Sequence, residues 1–322
     1  MTDRSAPRVL VLAGGLSHER DVSLRSGRRV TDALRGAGCT CLERDVDAAL
    51  IGELTGGGVD VVWPLLHGSS GEDGAVRDVL DLLGVPYVGS RPAACRRAWD
   101  KPVAKSVARD AGLATPESVA LPHGTFRELG AQGVLSAIAD RLGLPLVVKP
   151  ARGGSALGVT VVREASELPR AMVACFAYGD VALVERFVPG VEVAVSVIDD
   201  GHGARALPAV EIVADGGVYD YDARYVAGAT EFFTPARLTA AAADAVCRAA
   251  LVAHAAFGLR HVSRTDLIVD ADGRPWFLEV NVAPGMTETS LLPQAVAATG
   301  EAWGPLYRRL VEAALDDDAR RA

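Results

Sequence analysis

Apolar positions along the first part of the chain fall into two alternating patterns. "RVLVLAGG" (Arg8–Gly15) and "VDVVWPLLHG" (Val59–Gly68) are short continuous apolar runs that stop at glycine, as buried strands do. From about Asp21 to Ala37 the pattern changes. Val30, Ala33, Leu34 and Ala37 recur at i, i+3, i+4 and i+7, a helical stripe that Gly38 terminates. "DGAVRDVLDLLG" (Asp73–Gly84) reads as a second helix closed by Gly84, and "VPYVGS" (Val85–Ser90) as a short strand. Strand and helix alternate, so roughly the first 95 residues predict a parallel α/β unit. Ligands of such sheets bind beyond the carboxyl ends of the strands. That points to the loops "GGLSHERD" (14–21) and "LHGSSGEDG" (66–74).

A helical region, Asp100 to Gly112, leads to a second unit of four strands: "LPLVVKP", "GVTVVRE", "DVALVERFV" and "VEVAVSVID". The first two are joined by a glycine loop short enough for an antiparallel pair. In the fourth, Val191, Val193, Val195 and Val197 share one face and Glu192 takes the other, as a period of two requires. A third region holds an Ala-rich helix around 237–257, the strand "SRTDLIVD", the turn "ADG" and the strand "PWFLEVN". A charged helix runs from Trp303 to Ala322.

Composition narrows the classes. The chain is 49% apolar and 23% charged with net charge −8, which argues against a nucleic-acid binder with a broad basic face. It leaves room for a small basic pocket. The opening apolar run is too short for a signal peptide, and no apolar stretch approaches the roughly 20 residues of a membrane span. Cys39, Cys41, Cys95, Cys175 and Cys247 are scattered; buried reduced thiols of a cytoplasmic protein are expected rather than zinc ligands.

Two constellations carry chemistry. Arg264, Asp266, Glu279 and Asn281 lie on two strands joined by a tight turn. Asp266, Glu279 and Asn281 are oxygen donors, and Glu279 and Asn281, two apart, face the same way. That set suits Mg2+, a hard cation that shares its shell with phosphates. A surface hairpin with ordinary charges is the plainer alternative, against which the apolar flanks "DLIVD" and "WFLEV" speak. The second constellation is Lys101 with Lys149. Lys149 ends an apolar strand, where an ammonium needs either an anion or a route to water. The "GGS" that follows favours an anion, because bare backbone N–H groups reach oxyanions where side chains do not block them.

These residues sit in a series of motifs: "GGLSHERDVS", "LHGSSGEDG", "DK" at 100–101, "VVKPARGGSALGV", "VERFVPGVEVAV", "YDYDARY", "SRTDLIVD" and "LEVNVAPGMTETSLLPQ". In this order, over nearly the full length, the chain resembles the D-alanine–D-alanine ligase family of the ATP-grasp superfamily. The resemblance implies an N-terminal parallel α/β (pre-ATP-grasp) domain over 1–98. A two-lobed ATP-grasp fold of α+β type follows, its central lobe over 99–188 and its C-terminal lobe over 189–322.

It also implies roles. ATP would lie between two sheets, with Lys101 and Lys149 at its phosphates and Arg224 also among its binding residues. Glu185 and Val188 would line the adenine, Glu192 the ribose, and the glycine loop with Ser155 would close over the γ-phosphate. Asp266, Glu279 and Asn281 would hold two Mg2+ ions, with Mn2+ able to substitute. Glu19 would hold the first D-alanine with His67 nearby. Arg264 and a backbone N–H near Gly285 would stabilise the oxyanion, and Ser290 and Leu291 would receive the second carboxylate. Ser155, Tyr225 and Glu19 would form a hydrogen-bonded triad. The acyl phosphate hydrolyses easily, so the loop 153–158 and "YDYDARY" are expected to act as lids. D-alanine and ATP are the partners expected, with no nucleic acid and no membrane, in a cytoplasmic homodimer that supplies peptidoglycan precursors.

The pattern departs from its relatives at three places. Ala156 stands where many carry a second loop serine. Arg224 replaces the lid lysine, keeping charge but changing shape. Val282 and Ala283 stand where hydroxyl residues are common. The tyrosine of "YDYDARY" favours an amine nucleophile, hence a dipeptide. The alternative is a related ATP-grasp ligase that makes a different D-dipeptide or depsipeptide, for example D-Ala-D-Ser or D-Ala-D-Lac, such as a specialised copy in an antibiotic producer.

Overall fold

The computed structural model describes residues 6–214 and 230–320. Arg224, Tyr225 and the rest of "YDYDARY" lie outside the described residues. The first apolar runs form β1 (Arg8–Leu12), β2 (Thr40–Arg44) and β3 (Val61–Pro64), a parallel sheet of order β2-β1-β3. Both of its faces are buried. Val9 and Val11 pack with Val30 and Leu34 of the helix Arg20–Gly36. Leu10 and Leu12 pack oppositely with Leu50, Leu66, Leu80 and Tyr87. "VPYVGS" contributes less than a strand: only Tyr87 bridges to Val62. Pro86 brings no N–H to a ladder, and Gly89, at φ 113°, turns the chain away. The helix Trp303–Ala319 returns to cover this sheet, with Tyr307 edge-on to Trp63 at 5.2 Å.

The middle of the chain folds as an antiparallel sheet of β4 (Ser118–Pro122), β5 (Leu146–Pro150), β6 (Thr160–Val162) and β7 (Val181–Arg186), in the order β4-β7-β5-β6. The glycine loop joins β5 to β6, which pair antiparallel. β8 (Val191–Ile198) does not join them, contrary to its sequence grouping. It lies at the centre of a further antiparallel sheet, with β9 (Arg205–Ala206), β10 (Val210–Ala214), β11 (Thr230–Phe233), β12 (Val262–Val269) and β13 (Pro275–Asn281). Gly190 makes the crossing possible, since a Cβ built there would lie 2.2 Å from the Val269 carbonyl oxygen.

β8 alternates as expected, but both faces are covered. Val193, Val195 and Val197 meet the helix Ala240–Phe257, while Ala194 and Ile198 meet Val210, Leu292 and Val296. Ala240–Phe257 is long and apolar enough by composition to cross a membrane. Here Val246, Ala250, Ala253 and Phe257 are buried in the core against the sheet. All five cysteines are free, and only Cys247 is partly exposed.

Candidate active site

The two antiparallel sheets enclose a cavity of about 440 Å3. Val147, Lys149 and Glu185 on β5 and β7 form one wall; Glu192, Asp266, Ile268 and Glu279 on β8, β12 and β13 form the other. In the β5–β7 register Lys149 opposes Leu183 and Val147 opposes Glu185, so all four side chains share the cleft face. The sequence offered Lys149 an anionic ligand or water. Within the protein the anion is a carboxylate: Lys149 is 7% exposed, and its Nζ lies 2.5 Å from Glu185 Oε1. The other Glu185 oxygen accepts from Lys105 Nζ at 2.7 Å.

Lys105 was not singled out by sequence. It lies on the helix Lys101–Asp110, whose first turn is capped by the Asp100 carboxylate accepting from the Val103 N–H at 3.2 Å. The i, i+4 spacing from Lys101 puts both lysines on one helical face. That was the available signal. Burial pushes the Lys105 ammonium down to about 8 against the pull of Glu185. Burial alone would raise the Glu185 carboxyl, but Lys149 and Lys105 outweigh it and hold it below its usual range. Lys101 donates from Nζ to the Gly153 carbonyl at 2.7 Å and stands 3.2 Å from Glu279 Oε2.

On β12 and β13, Asp266 pairs with Glu279 and Arg264 with Asn281, which puts all four side chains on one face. The register slips after Asp266, so Leu278 and Glu279 both line the cleft, while Phe277 and Val280 belong to the core behind. Arg264 donates from Nε and Nη2 to the two Asp266 oxygens at 2.7 and 2.8 Å. Asn281 Oδ1 accepts from the Ala283 N–H at 2.7 Å. Among the described residues no three His, Cys, Asp or Glu side chains converge as a metal cluster. Two carboxylates and an amide oxygen nevertheless suit a hard divalent cation that takes other oxygens from elsewhere. Positive groups, Arg264 and Lys101, already balance both carboxylates.

A second cavity of about 550 Å3 adjoins the first and shares Lys101, Gly153, Gly154 and Glu279 with it. It gathers Glu19, His67, Arg264, Gly285, Ser290 and Leu291. Glu19 stands at the start of the helix Arg20–Gly36 but caps no N–H with its side chain. Its Oε1 instead accepts from the Ser155 hydroxyl. Ser155 and Ala156 both hold left-handed backbone, φ 53° and 55°, which is strained for residues with a Cβ. His67 Nδ1 donates to the Ala283 carbonyl at 3.0 Å, and Nε2 has no protein partner. Burial lowers its affinity for a proton, so the ring is neutral.

Glu72, also missed by sequence, lines this cavity. Its carboxyl is raised to about 8 by burial and by the neighbouring charge of Glu19. Gly71 allows that turn, since a Cβ there would lie 1.8 Å from the Leu66 carbonyl oxygen. Ser290 begins the helix Leu291–Ala298, and its hydroxyl accepts from the Thr287 N–H at 3.0 Å.

Comparisons with known proteins agree with this geometry. Residues 107–312 match the family described as D-ala D-ala ligase C-terminus, and residues 42–90 match D-ala D-ala ligase N-terminus. A D-alanine–D-alanine ligase of Bordetella petrii is 42% identical over 95% of this chain and 92% of its own. The crystal structure of the VanG D-Ala:D-Ser ligase from Enterococcus faecalis superposes with a TM-score of 0.85 at 26% identity, covering 96% of this chain and 99% of that one. The D-alanine–D-alanine ligase from Bacillus anthracis complexed with ATP gives 0.80 at 28% identity, covering 98% and 100%. The parallel N-terminal sheet and the two antiparallel sheets are the ATP-grasp architecture of these ligases, and the chain belongs to the D-alanine–D-alanine ligase family.

Proposed function

We propose that this protein joins two D-alanines to D-alanyl-D-alanine, converting ATP to ADP and phosphate. The observation that carries the reading is the pair of adjoining cavities, which share Lys101, the glycine loop and Glu279. One can hold a nucleotide with its phosphates towards the shared wall. The other can hold two small zwitterions beside Arg264. In the first step the carboxylate oxygen of one D-alanine attacks the γ-phosphorus, ADP leaves and an acyl phosphate forms. In the second, the amine of the other D-alanine attacks the acyl carbon. The tetrahedral intermediate then expels phosphate, and the amine proton is lost.

A carboxylate and a triphosphate repel, so positioning and charge neutralisation carry the catalysis. Lys101 and Lys149 face the phosphates; Glu185 and Val188 contact adenine, and Glu192 the ribose. Glu19 binds the first ammonium with His67 close by. Arg264 and the backbone near Gly285 take the oxyanion. Ser290 and the start of the helix Leu291–Ala298 take the second carboxylate, as a helix N-terminus favours an anion. Asp266, Glu279 and Asn281 would hold Mg2+, two ions with Mn2+ able to substitute, which would supply charge neutralisation at the transferred phosphoryl group. The Ser155–Glu19 bond ties the loop to the first-substrate site; Arg224 and Tyr225 would complete that cover. On this reading the units are 1–98, 99–188 and 189–322. The protein works as a cytoplasmic homodimer and supplies peptidoglycan precursors.

The assay combines the protein with ATP, Mg2+ and a panel of D-amino acids and D-lactate, read by phosphate release and product mass. D-alanyl-D-alanine is expected as the main product. No phosphate release with any substrate would refute the ligase reading. One observation favours a second reading: Val282 and Ala283 remove hydroxyls from the wall of the second cavity, and a D-Ala:D-Ser ligase is among the similar structures. D-alanyl-D-serine or D-alanyl-D-lactate as the major product would establish that alternative.

A further inference from the structure

Of the cations that line the two cavities, Lys101, Lys149 and Arg264 each lie against a carboxylate of the same walls. Lys101 lies 3.2 Å from Glu279, Lys149 2.5 Å from Glu185, and Arg264 2.7 Å from Asp266. These pairs alone are electroneutral, yet the reading above asks the cleft to accept a polyanion. Lys105 changes the balance. Its side chain is 1% exposed and lines neither cavity, so it cannot touch a nucleotide. It is nevertheless 2.7 Å from the same Glu185 that holds Lys149.

We propose that Lys105 is a positioning residue of the nucleotide site: by sharing Glu185 it leaves the Lys105–Glu185–Lys149 triad with one net positive charge, presented to the phosphates through Lys149. The inference rests on the ATP reading of the cleft. Two consequences follow from the geometry. Without Lys105, Lys149 and Glu185 neutralise each other, and Lys149 can turn to a phosphate only by stripping a buried carboxylate of its counter-ion. With Lys105 in place, Glu185 keeps a partner while Lys149 engages ligand. Lys105 thus acts on the charge of the cleft rather than on the shape of the adenine pocket.

The charged groups that face Lys105 are Glu185 on β7, Lys149 on β5 and Arg109 one turn along its own helix. β13 contributes Glu279, which pairs with Lys101 instead. The helices Pro92–Trp99 and Ala240–Phe257 pack on the lysine helix through Ala94, Ala98, Val246 and Ala250. Glu185, held below the usual carboxylate range, stays charged where Lys105 loses its proton, near 8. The surplus charge should therefore disappear as pH rises through that value.

The test measures binding of ATP and of adenosine to the full-length protein by titration calorimetry, together with KM for ATP and kcat. Lys105→Met should weaken ATP by about tenfold and leave adenosine unchanged, since only ATP carries the charge that the triad attracts. KM for ATP should rise while kcat stays within about twofold. In the wild type the ATP-to-adenosine affinity ratio should fall between about pH 7.5 and 9.5, and Lys105→Met should abolish that step. Lys105→Arg should restore ATP affinity.

Equal loss of both ligands would mean that Lys105 only packs, and would overturn the proposal. Unchanged ATP affinity, or a pH step that survives the substitution, would also overturn it. Should Lys105→Met fail to fold, the wild-type series decides alone: a constant ratio across that pH range refutes the inference. A wild-type protein that binds neither ligand would instead remove the nucleotide reading itself, and the proposal with it.

Discussion

Arg264→Ala tests the oxyanion role and the metal role together. Arg264 and Asp266 are 9% and 7% exposed and joined by two charged hydrogen bonds of 2.7 and 2.8 Å. Removing the guanidinium leaves a buried carboxylate without those bonds, a change that costs about 3–5 kcal/mol. For a chain of this size that corresponds to a fall in Tm of roughly 5–10 °C. Turnover should fall by about 10²-fold or more, as loss of an oxyanion donor does, when assayed well below the new Tm. Asp266 should also become a better cation ligand once Arg264 no longer occupies both of its oxygens. Mg2+ should therefore raise the Tm of the variant by several degrees more than that of the wild type. Melts by circular dichroism with and without Mg2+, and phosphate release at saturating substrates, read both effects. An unchanged kcat would refute the oxyanion role. Equal Mg2+ shifts in the two proteins would refute the competition between Arg264 and a metal at Asp266.

Two further outcomes are expected. Ser155→Ala removes the hydroxyl that bonds Glu19; turnover should drop severalfold while Tm moves by no more than about 2 °C, because the loop backbone is retained. A parallel loss of both would mean that the loop is merely part of the fold. His261 is 3% exposed, and its Nδ1 accepts from the Gly89 N–H at 2.8 Å, with Nε2 3.5 Å from Asp317. Burial lowers its proton affinity from the ordinary 6.5, so the unfolded chain binds the proton first as pH falls. This contribution should be complete above about pH 6.5 and decline below it, with His254, pushed down to about 4, adding in the same direction. His261→Ala leaves the Gly89 N–H unpaired and should cost about 2–4 kcal/mol in urea melts near neutral pH. His261→Asn, which tolerates the left-handed backbone, should cost less and should flatten the acid slope. An unaltered slope in His261→Asn would assign the acid sensitivity to other groups.

The parts of the fold legible from sequence are those decided locally. Val9–Leu12, the Val30–Leu34 stripe and the β12–β13 hairpin announce themselves by period and by the glycines that bound them. The shared face of Arg264, Asp266, Glu279 and Asn281 follows from the same period. Partnership across long separations does not. Alternation in β8 gives its two faces but not which sheet it joins; that depends on how closely Gly190 passes Val269. The bulge that brings Leu278 and Glu279 to the same side is likewise a property of two strands together. Lys105 sits between Ala104 and Ser106 and reads as an ordinary helix lysine until Glu185, 80 positions on, is placed against it. Glu72 lay within a recognised motif, but its unusual protonation depends on burial beside Glu19.

The helix Trp303–Ala319 has a consequence for how the chain is made. Leu306, Tyr307, Leu310 and Val311 belong to the same core as Val9, Val11, Val61 and Trp63. The ribosome supplies about 5–20 residues per second, so the first sheet waits many seconds for side chains encoded far downstream of it. Until then one of its faces is only partly covered, and its edge strand β2 is open to mispairing. Closing a loop of that length is slow, as for any fold dominated by distant contacts. The N-terminal unit should therefore be a poor candidate for independent expression. Truncating the helix Trp303–Ala319 should harm the first sheet directly, and through the shared core with Ala194, Ile198 and Val210 it should also loosen the sheet behind the nucleotide cleft.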